Sequence, residues 1–237
     1  MKIFASAAIC GTAFVAPIAV GATVTFDGLG HGEIVTSQFS GLGLNISAVN
    51  PNRSHDLAII FDSTMTGTAD PDLEGPPWAG GNLPSSLVMN NLLIIAQDDT
   101  DVVAPFGFID NPNDEGNRPA GDLIFDFDLP QSEFGFDVVD VEGVLEENGM
   151  VSFFLSGGLV GSVPFSDFTS RDASVSFGDN TINRIVPFTA AEVGGVFDRV
   201  VIMMGGSGGV DNVNFIPTPG AAGLMAIGGL AMTRRRR

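Results

Sequence analysis

Two acidic loops hold the residues whose types and spacing suit chemistry. The first reads Asp70-Pro71-Asp72-Leu73-Glu74-Gly75, with side-chain oxygens at alternate positions ahead of a glycine. The second reads Asn111-Pro112-Asn113-Asp114-Glu115-Gly116-Asn117, and Asp122 stands eleven residues after Asn111. In the register of a calcium loop, Asn111, Asn113, Glu115, Asn117 and Asp122 take ligand positions and Gly116 takes the sharp turn. Calcium is a hard cation that gathers six to eight oxygens, so clustered carboxylates and amides around a turn glycine are what it requires. Each loop departs from the pattern. The first has Gly81 where the closing acid belongs, and the second opens on Asn111 and carries Pro119 at its ninth position. Neither is flanked by helical patterning, and a solvated Asx turn accounts for either sequence as well.

Other chemistry is thinly provided. Cys10 is the only cysteine, and His31 and His55 are the only histidines, without zinc-like spacing. Glu146-Glu147 or Asp137 with Asp140 form possible glycosidase pairs, but with 28 acids such pairs arise by chance. No Gly-x-Ser-x-Gly elbow is present, and Gly205-Gly206-Ser207-Gly208-Gly209 lacks the lysine and the following helix of a phosphate loop. Trp78 is the only tryptophan and there is no tyrosine. It suits either stacking on a sugar ring or plugging its own loop.

The elements that must position these residues read as strands. Runs rich in Val, Ile, Phe and Leu alternate with Gly, Asn, Asp and Pro clusters. The expected strands are Thr23–Phe26, Ile34–Phe39, Leu42–Val49, Leu57–Phe61, Leu92–Ala96, Leu123–Asp128, Ser132–Val141, Met150–Leu155, Leu159–Val163, Ala173–Phe177, Ile182–Pro187, Val196–Met203 and Val210–Phe215. Leu123, Phe125, Phe127 and Leu129 share one face while Asp126 and Asp128 share the other, the pattern of an antiparallel sheet with one buried and one wet face. The best helical candidate is the single turn Thr189–Val193 before Gly194. Without crossover helices a parallel α/β architecture is excluded. The expected fold is all-β, an antiparallel jelly-roll-like β-sandwich. Asp62–Asn91 has no strand pattern, and a loop of that length in a compact domain is functional or tied down.

Charge narrows the partners. All 28 acids lie between Asp27 and Asp211, against five arginines and no lysine in residues 23–216, a net charge near −23. Nucleic acid needs a basic face and is excluded. Bound cations or a screening salt medium fit such a surface.

The ends differ in kind from the middle. Lys2, the apolar stretch to Val20 and the small residues Val20-Gly21-Ala22 read as a signal peptide over 1–22, with the mature chain starting at Thr23. That start removes Cys10 and leaves no disulfide. At the other end stand Pro217-Thr218-Pro219-Gly220, an apolar run from Ala221 to Met232, and Arg234, Arg235, Arg236 and Arg237. The apolar run spans about 18 Å as a helix, short of a hydrocarbon core of roughly 30 Å. The arginines would keep that end cytoplasmic. This tripartite tail, residues 217–237, resembles the PEP-CTERM sorting signal of Gram-negative bacteria, with Thr218 in place of the usual Glu. The resemblance implies a C-terminal sorting helix, processing by signal peptidase and an exosortase-type protease, transient inner-membrane attachment, and association with extracellular polysaccharide at the cell surface or matrix.

The middle, 23–216, resembles the calcium-bearing jelly rolls of the galactose-binding-like and carbohydrate-binding type. That resemblance implies one structural ion between Asp211 on the last strand and Asp27 or Glu33 near the first. Together these features lead to an exported, non-catalytic, calcium-stabilised surface or matrix protein. A secreted carbohydrate-active enzyme, a glycoside hydrolase or lyase, is the alternative.

Overall fold

A computed structural model describes residues 20–143 and 147–219. The bulk of the expected signal peptide, Cys10, Glu146 and the tail from Gly220 through Arg237 lie outside the described residues.

Eleven strands form one continuous, mostly antiparallel sheet. They are β1 (Ala22–Val24), β2 (Leu44–Val49), β3 (Ala58–Asp62), β4 (Gly80–Gly81), β5 (Asn91–Ile95), β6 (Gly121–Val139), β7 (Met150–Leu155), β8 (Gly158–Pro164), β9 (Thr181–Thr189), β10 (Phe197–Met204) and β11 (Gly209–Pro217). The all-β, antiparallel expectation holds at this level. Among the described residues two complete four-residue helices interrupt it, α1 (Phe168–Arg171) and α2 (Ala190–Val193). The second is the expected turn. Thr189 caps it in a reciprocal capping box with Glu192, and Gly194 closes it in the left-handed conformation at φ 99°.

Strand β6 organises the sheet. Leu123–Asp128 and Ser132–Val141, expected as two strands, run together as one of 19 residues. Its first half pairs with β2 and β10, and its second half with β9 and β11. The change of neighbours falls around Pro130, which has no N–H to lose from a ladder. Two other expected strands are absent. Around Ile34–Phe39 the chain makes only isolated bridges, Glu33 to Phe108 and Ile34 to Ile59, before a turn at Gln38. Over Ala173–Phe177 the Asp172 carboxylate takes the Ser174 N–H at 2.8 Å, and the Asn183 side chain satisfies both backbone groups of Ser176. A side-chain amide does there what a neighbouring strand does elsewhere.

The larger core carries Phe125, Phe134, Phe136, Phe153, Phe188 and Phe197, all fully buried. The expectation of one wet face fails for β3, β5 and the end of β6. Ala58, Ile60, Leu93, Ile95 and Val138 face this core, while Ile59, Phe61, Leu92, Ile94 and Val139 face a second one. The segment Asp62–Asn91 makes the second core, laying Leu73, Trp78 and Met89 over that other face. Its one regular pairing is β4 with β9, the parallel pair in the sheet. Two glycines hide that strand from any hydrophobic pattern. Gly81 is required there, because a Cβ would stand 1.8 Å from the Ile182 carbonyl oxygen.

Candidate cation site

The same lid segment carries the first acidic loop. Leu73 is fully buried in the second core, at the end of a 3-10 turn over Pro71–Leu73. Burying Leu73 fixes the carboxyls one residue before it and three before it, Asp72 and Asp70, at the rim of that core. The second acidic loop approaches from the side. Residues Asn113–Glu115 run beside the end of β5, through the Gln97 N–H to Asn113 carbonyl bond (3.0 Å), an Ala96–Asp114 bridge and the Glu115 N–H to Ile95 carbonyl bond (2.9 Å). This places Asp114 against Asp70, whose Oδ2 accepts the Asp114 N–H at 3.4 Å.

Asp140 joins them from the end of β6. It sits in the left-handed region at φ 61°, a conformation Asp tolerates. Its carboxylate accepts the Asn180 N–H at 2.6 Å and the Ser207 hydroxyl at 3.4 Å. The Gly208 N–H donates to Asp114 Oδ2. Asn180 ties the lid down by donating its side-chain amide to the carbonyls of Asp72 (2.8 Å) and Glu74 (3.0 Å). Four distant stretches of chain therefore meet in one corner: 70–72, 114, 140 and 207–208.

The electrostatics of this corner are one-sided. Asp70, Asp114 and Asp140 are 7%, 6% and 2% exposed. Burial pushes the Asp140 carboxyl up to about 8, with the charges of Asp72, Asp70 and Asp179 adding to the rise. Burial, then the neighbouring Asp70 charge, holds Asp114 well above the usual carboxylate range. Asp72 is raised by partial burial and by Asp179, Asp70 and Glu142. The arginines among the described residues are engaged elsewhere: Arg53 with Glu115, Arg118 with Glu142, Arg171 with Glu192, Arg184 with Asp137 and Arg199 with Asp126. Among the described residues no three His, Cys, Asp or Glu side chains are already closed into ligating geometry. The donor set itself, carboxylates with a hydroxyl and no nitrogen or sulfur, is that of a hard divalent cation.

The remaining candidates separate. Glu74 turns away, accepting the Thr68 N–H (2.7 Å) and hydroxyl (2.9 Å), which lower its pKa. Asn113 donates to Gln97. Glu115 is fully buried. Burial alone would raise its pKa, but hydrogen bonds from Arg53, Asn50 and Asn117 outweigh that and hold it low. Asp122 is the second residue of β6, opposite Val49 and Met203, and is raised by burial alone. Asn113, Glu115 and Asp122 are thus each engaged separately, and these residues do not meet at one point in the calcium-loop register of the second loop. Asp114, inside that loop but outside the register, is the residue that reaches the corner. Asp140, legible in the sequence only as a carboxylate paired with Asp137, carried no local signal for a cation, since its neighbours come from three other stretches of chain.

The pair at the ends of the domain is partly assembled. Strand β1 pairs with β11, Val24 opposite Val213, and this brings Asp27 near Asp211. Asp211 is 2% exposed, its Oδ1 has no hydrogen-bond partner, and burial followed by the charges of Asp27 and Asp137 raises it to about 7. Glu33 stays apart, accepting the Gly30 N–H at 2.8 Å. Trp78 is 3% exposed, its indole N–H donates to the Leu87 carbonyl at 2.7 Å, and its ring lies on Gly75. A ring so enclosed has no face for a sugar, so the stacking role gives way to the plug.

No protein-family model matches this chain, and no curated protein matches it.

Proposed function

We propose that the chain is an exported, non-catalytic protein of the cell surface or extracellular matrix, a jelly-roll-like β-sandwich stabilised by calcium and associated with extracellular polysaccharide. The observation that carries the calcium reading is the corner of Asp70, Asp72, Asp114 and Asp140. Asp70, Asp114 and Asp140 are buried, Asp72 lies exposed at their rim, and among the described residues no basic side chain pairs with them; carboxyls buried in this way are stable only protonated or around a cation. Calcium supplies that charge, with Asp70, Asp72, Asp114 and Asp140 as the carboxylate ligands and the Ser207 hydroxyl beside them. Bound there, the ion would staple the lid to β6, β9 and the β10–β11 turn, in a mature chain without cysteine. Asp211 with Asp27 is a second, smaller place for the same chemistry.

The signal-like start and the tail resembling a PEP-CTERM signal support export and processing. The carbohydrate-active alternative needs an acid–base pair open to substrate. The most strongly raised carboxyls, Asp114 and Asp140, are buried, which supports the non-catalytic reading.

Thermal melting of the exported chain in calcium and in chelator tests the proposal. At about a hundred times the dissociation constant a single site adds roughly 2.7 kcal/mol, or about 5–10 °C for a domain of this size. An unchanged melting temperature contradicts it.

A further inference from the structure

A cleft of about 450 Å³ opens beside the turn that follows β1, lined by none of the four carboxyls of the acidic corner. Three pieces of chain line it: Asp27, Gly30 and His31 after β1, Asp62 and Thr64 at the end of β3, and Asn90 before β5. Its size lies in the lower part of the range of roughly 300–1,000 Å³ typical of small-molecule sites.

The walls are held in place. The Asn91 side chain donates to the carbonyls of Phe26 (3.1 Å) and Leu29 (2.7 Å), fastening the Asp27–Gly30 turn to β5. His31 Nδ1 accepts the Asp62 N–H at 2.9 Å, and the ring stands edge-on to Phe61 at 5.4 Å. An Nδ1 that accepts a backbone N–H carries no proton, so the ring's proton sits on Nε2 as a donor, and burial, opposed by Asp62, lowers the His31 pKa in the same sense. Asp62 Oδ1 is occupied by Thr64, leaving Oδ2 as an acceptor. Asn90, at φ 54°, uses its backbone carbonyl for the Ser63 N–H and keeps an exposed amide that both donates and accepts. Phe108 packs against Gly30, where a Cβ would come within 2.7 Å of its ring, so this wall of the cleft requires glycine.

From this arrangement we infer that the cleft binds a neutral saccharide. Hydroxyl groups donate and accept at once, and here carboxylate acceptors alternate with an imidazole N–H and an amide. An ammonium ligand, which only donates, would leave the His31 donor unmatched. Anionic sugars meet Asp27 and Asp62 with no basic residue to offset them. The inference deepens the surface-protein reading and rests on it for the source of the ligand.

The test is titration of the exported chain with maltose, cellobiose and laminaribiose, followed by NMR, in calcium and again in chelator. Saturable binding of at least one disaccharide is expected, shifting the Asn90 and His31 signals. Asn90→Gly keeps the backbone conformation while removing the amide, and Asp62→Asn keeps an oxygen for the Thr64 contacts while turning the free Oδ2 acceptor into a donor. Each should weaken binding about tenfold, the equivalent of one or two hydrogen bonds. No saturable binding, undiminished binding by both variants, or tighter binding of digalacturonate or a glucosamine disaccharide at these residues overturns the inference. Failure of the calcium reading is seen separately, as a melting temperature that calcium does not move.

Discussion

At the residue scale the chain concentrates buried negative charge and uses its few cations sparingly. Asp137 is 1% exposed and takes a two-point ion pair from Arg184, at 2.8 Å for each bond. Arg184→Ala leaves that carboxylate buried with only the Asn212 amide at 3.0 Å. Because the arginine is itself more than half exposed, the expected loss is about 2 kcal/mol, less than for a fully enclosed pair, and is measurable by denaturant melting. Among the described residues no arginine pairs with the acidic corner, and its pH dependence follows from that. In chelator the folded chain keeps the Asp140 proton up to about 8, while the unfolded chain releases it near 3.8. The folded state binds the extra proton across this window, so stability falls as pH rises from about 4 to about 8 and levels off above. Asp211 adds a fall of the same sign that ends near 7. Melts across this window in chelator should show the decline, and saturating calcium should remove most of it. A stability that rises with pH through the window in chelator would contradict the assignment of these carboxyls.

At the element scale the lid over Asp62–Asn91 determines how well the sequence could be read. Strand positions were largely legible, because the alternation in β2, β6 and β11 is a direct print of the pleat. The second core was not, since Leu73, Trp78 and Met89 are spaced irregularly along a segment with no periodicity. The candidate site was legible by halves. Asp70 and Asp72 stand out as an acidic loop, whereas Asp140 looks like any strand-end residue until Asn180, Ser207 and Asp114 are brought beside it. Two substitutions probe the lid and its anchor. Trp78→Ala should cost about 3–5 kcal/mol as a large buried ring is lost, and should speed proteolysis within 62–91 before the rest of the chain is cut. Gly208→Ala, at φ 131° with a Cβ that would stand 2.6 Å from the Val139 carbonyl oxygen, should cost about 1–3 kcal/mol. It should also weaken the calcium response, because the Gly208 N–H fixes Asp114. An unaltered response in a folded Gly208→Ala chain would separate the turn from the site.

At the scale of the whole molecule the two ends of the described chain lie together. Ala22 pairs with Phe215, and the Thr218 N–H donates to the Pro130 carbonyl at 2.9 Å. The acidic corner lies at the other end of β11, past Gly209, about 30 Å away along a nine-residue strand. A chain held to a membrane through its tail would therefore present the acidic corner away from the bilayer, where external calcium reaches it. Intact-mass measurement of the protein recovered from the cell surface or medium should place the first residue at Thr23 and show the tail removed beyond Pro219. A mass that retains Arg234–Arg237 would contradict the processing reading.

The central claim is that Asp70, Asp72, Asp114 and Asp140 form one calcium site, and calorimetric titration of calcium into metal-free wild-type chain and its Asp140→Asn variant tests it most directly. The variant keeps the shape of the side chain and an acceptor for Asn180 while removing a buried charge. The account predicts tight binding by the wild type, loss of most of that binding in Asp140→Asn, and a chelated variant at least as stable as the chelated wild type at alkaline pH. Equal calcium affinity in the two proteins would contradict it.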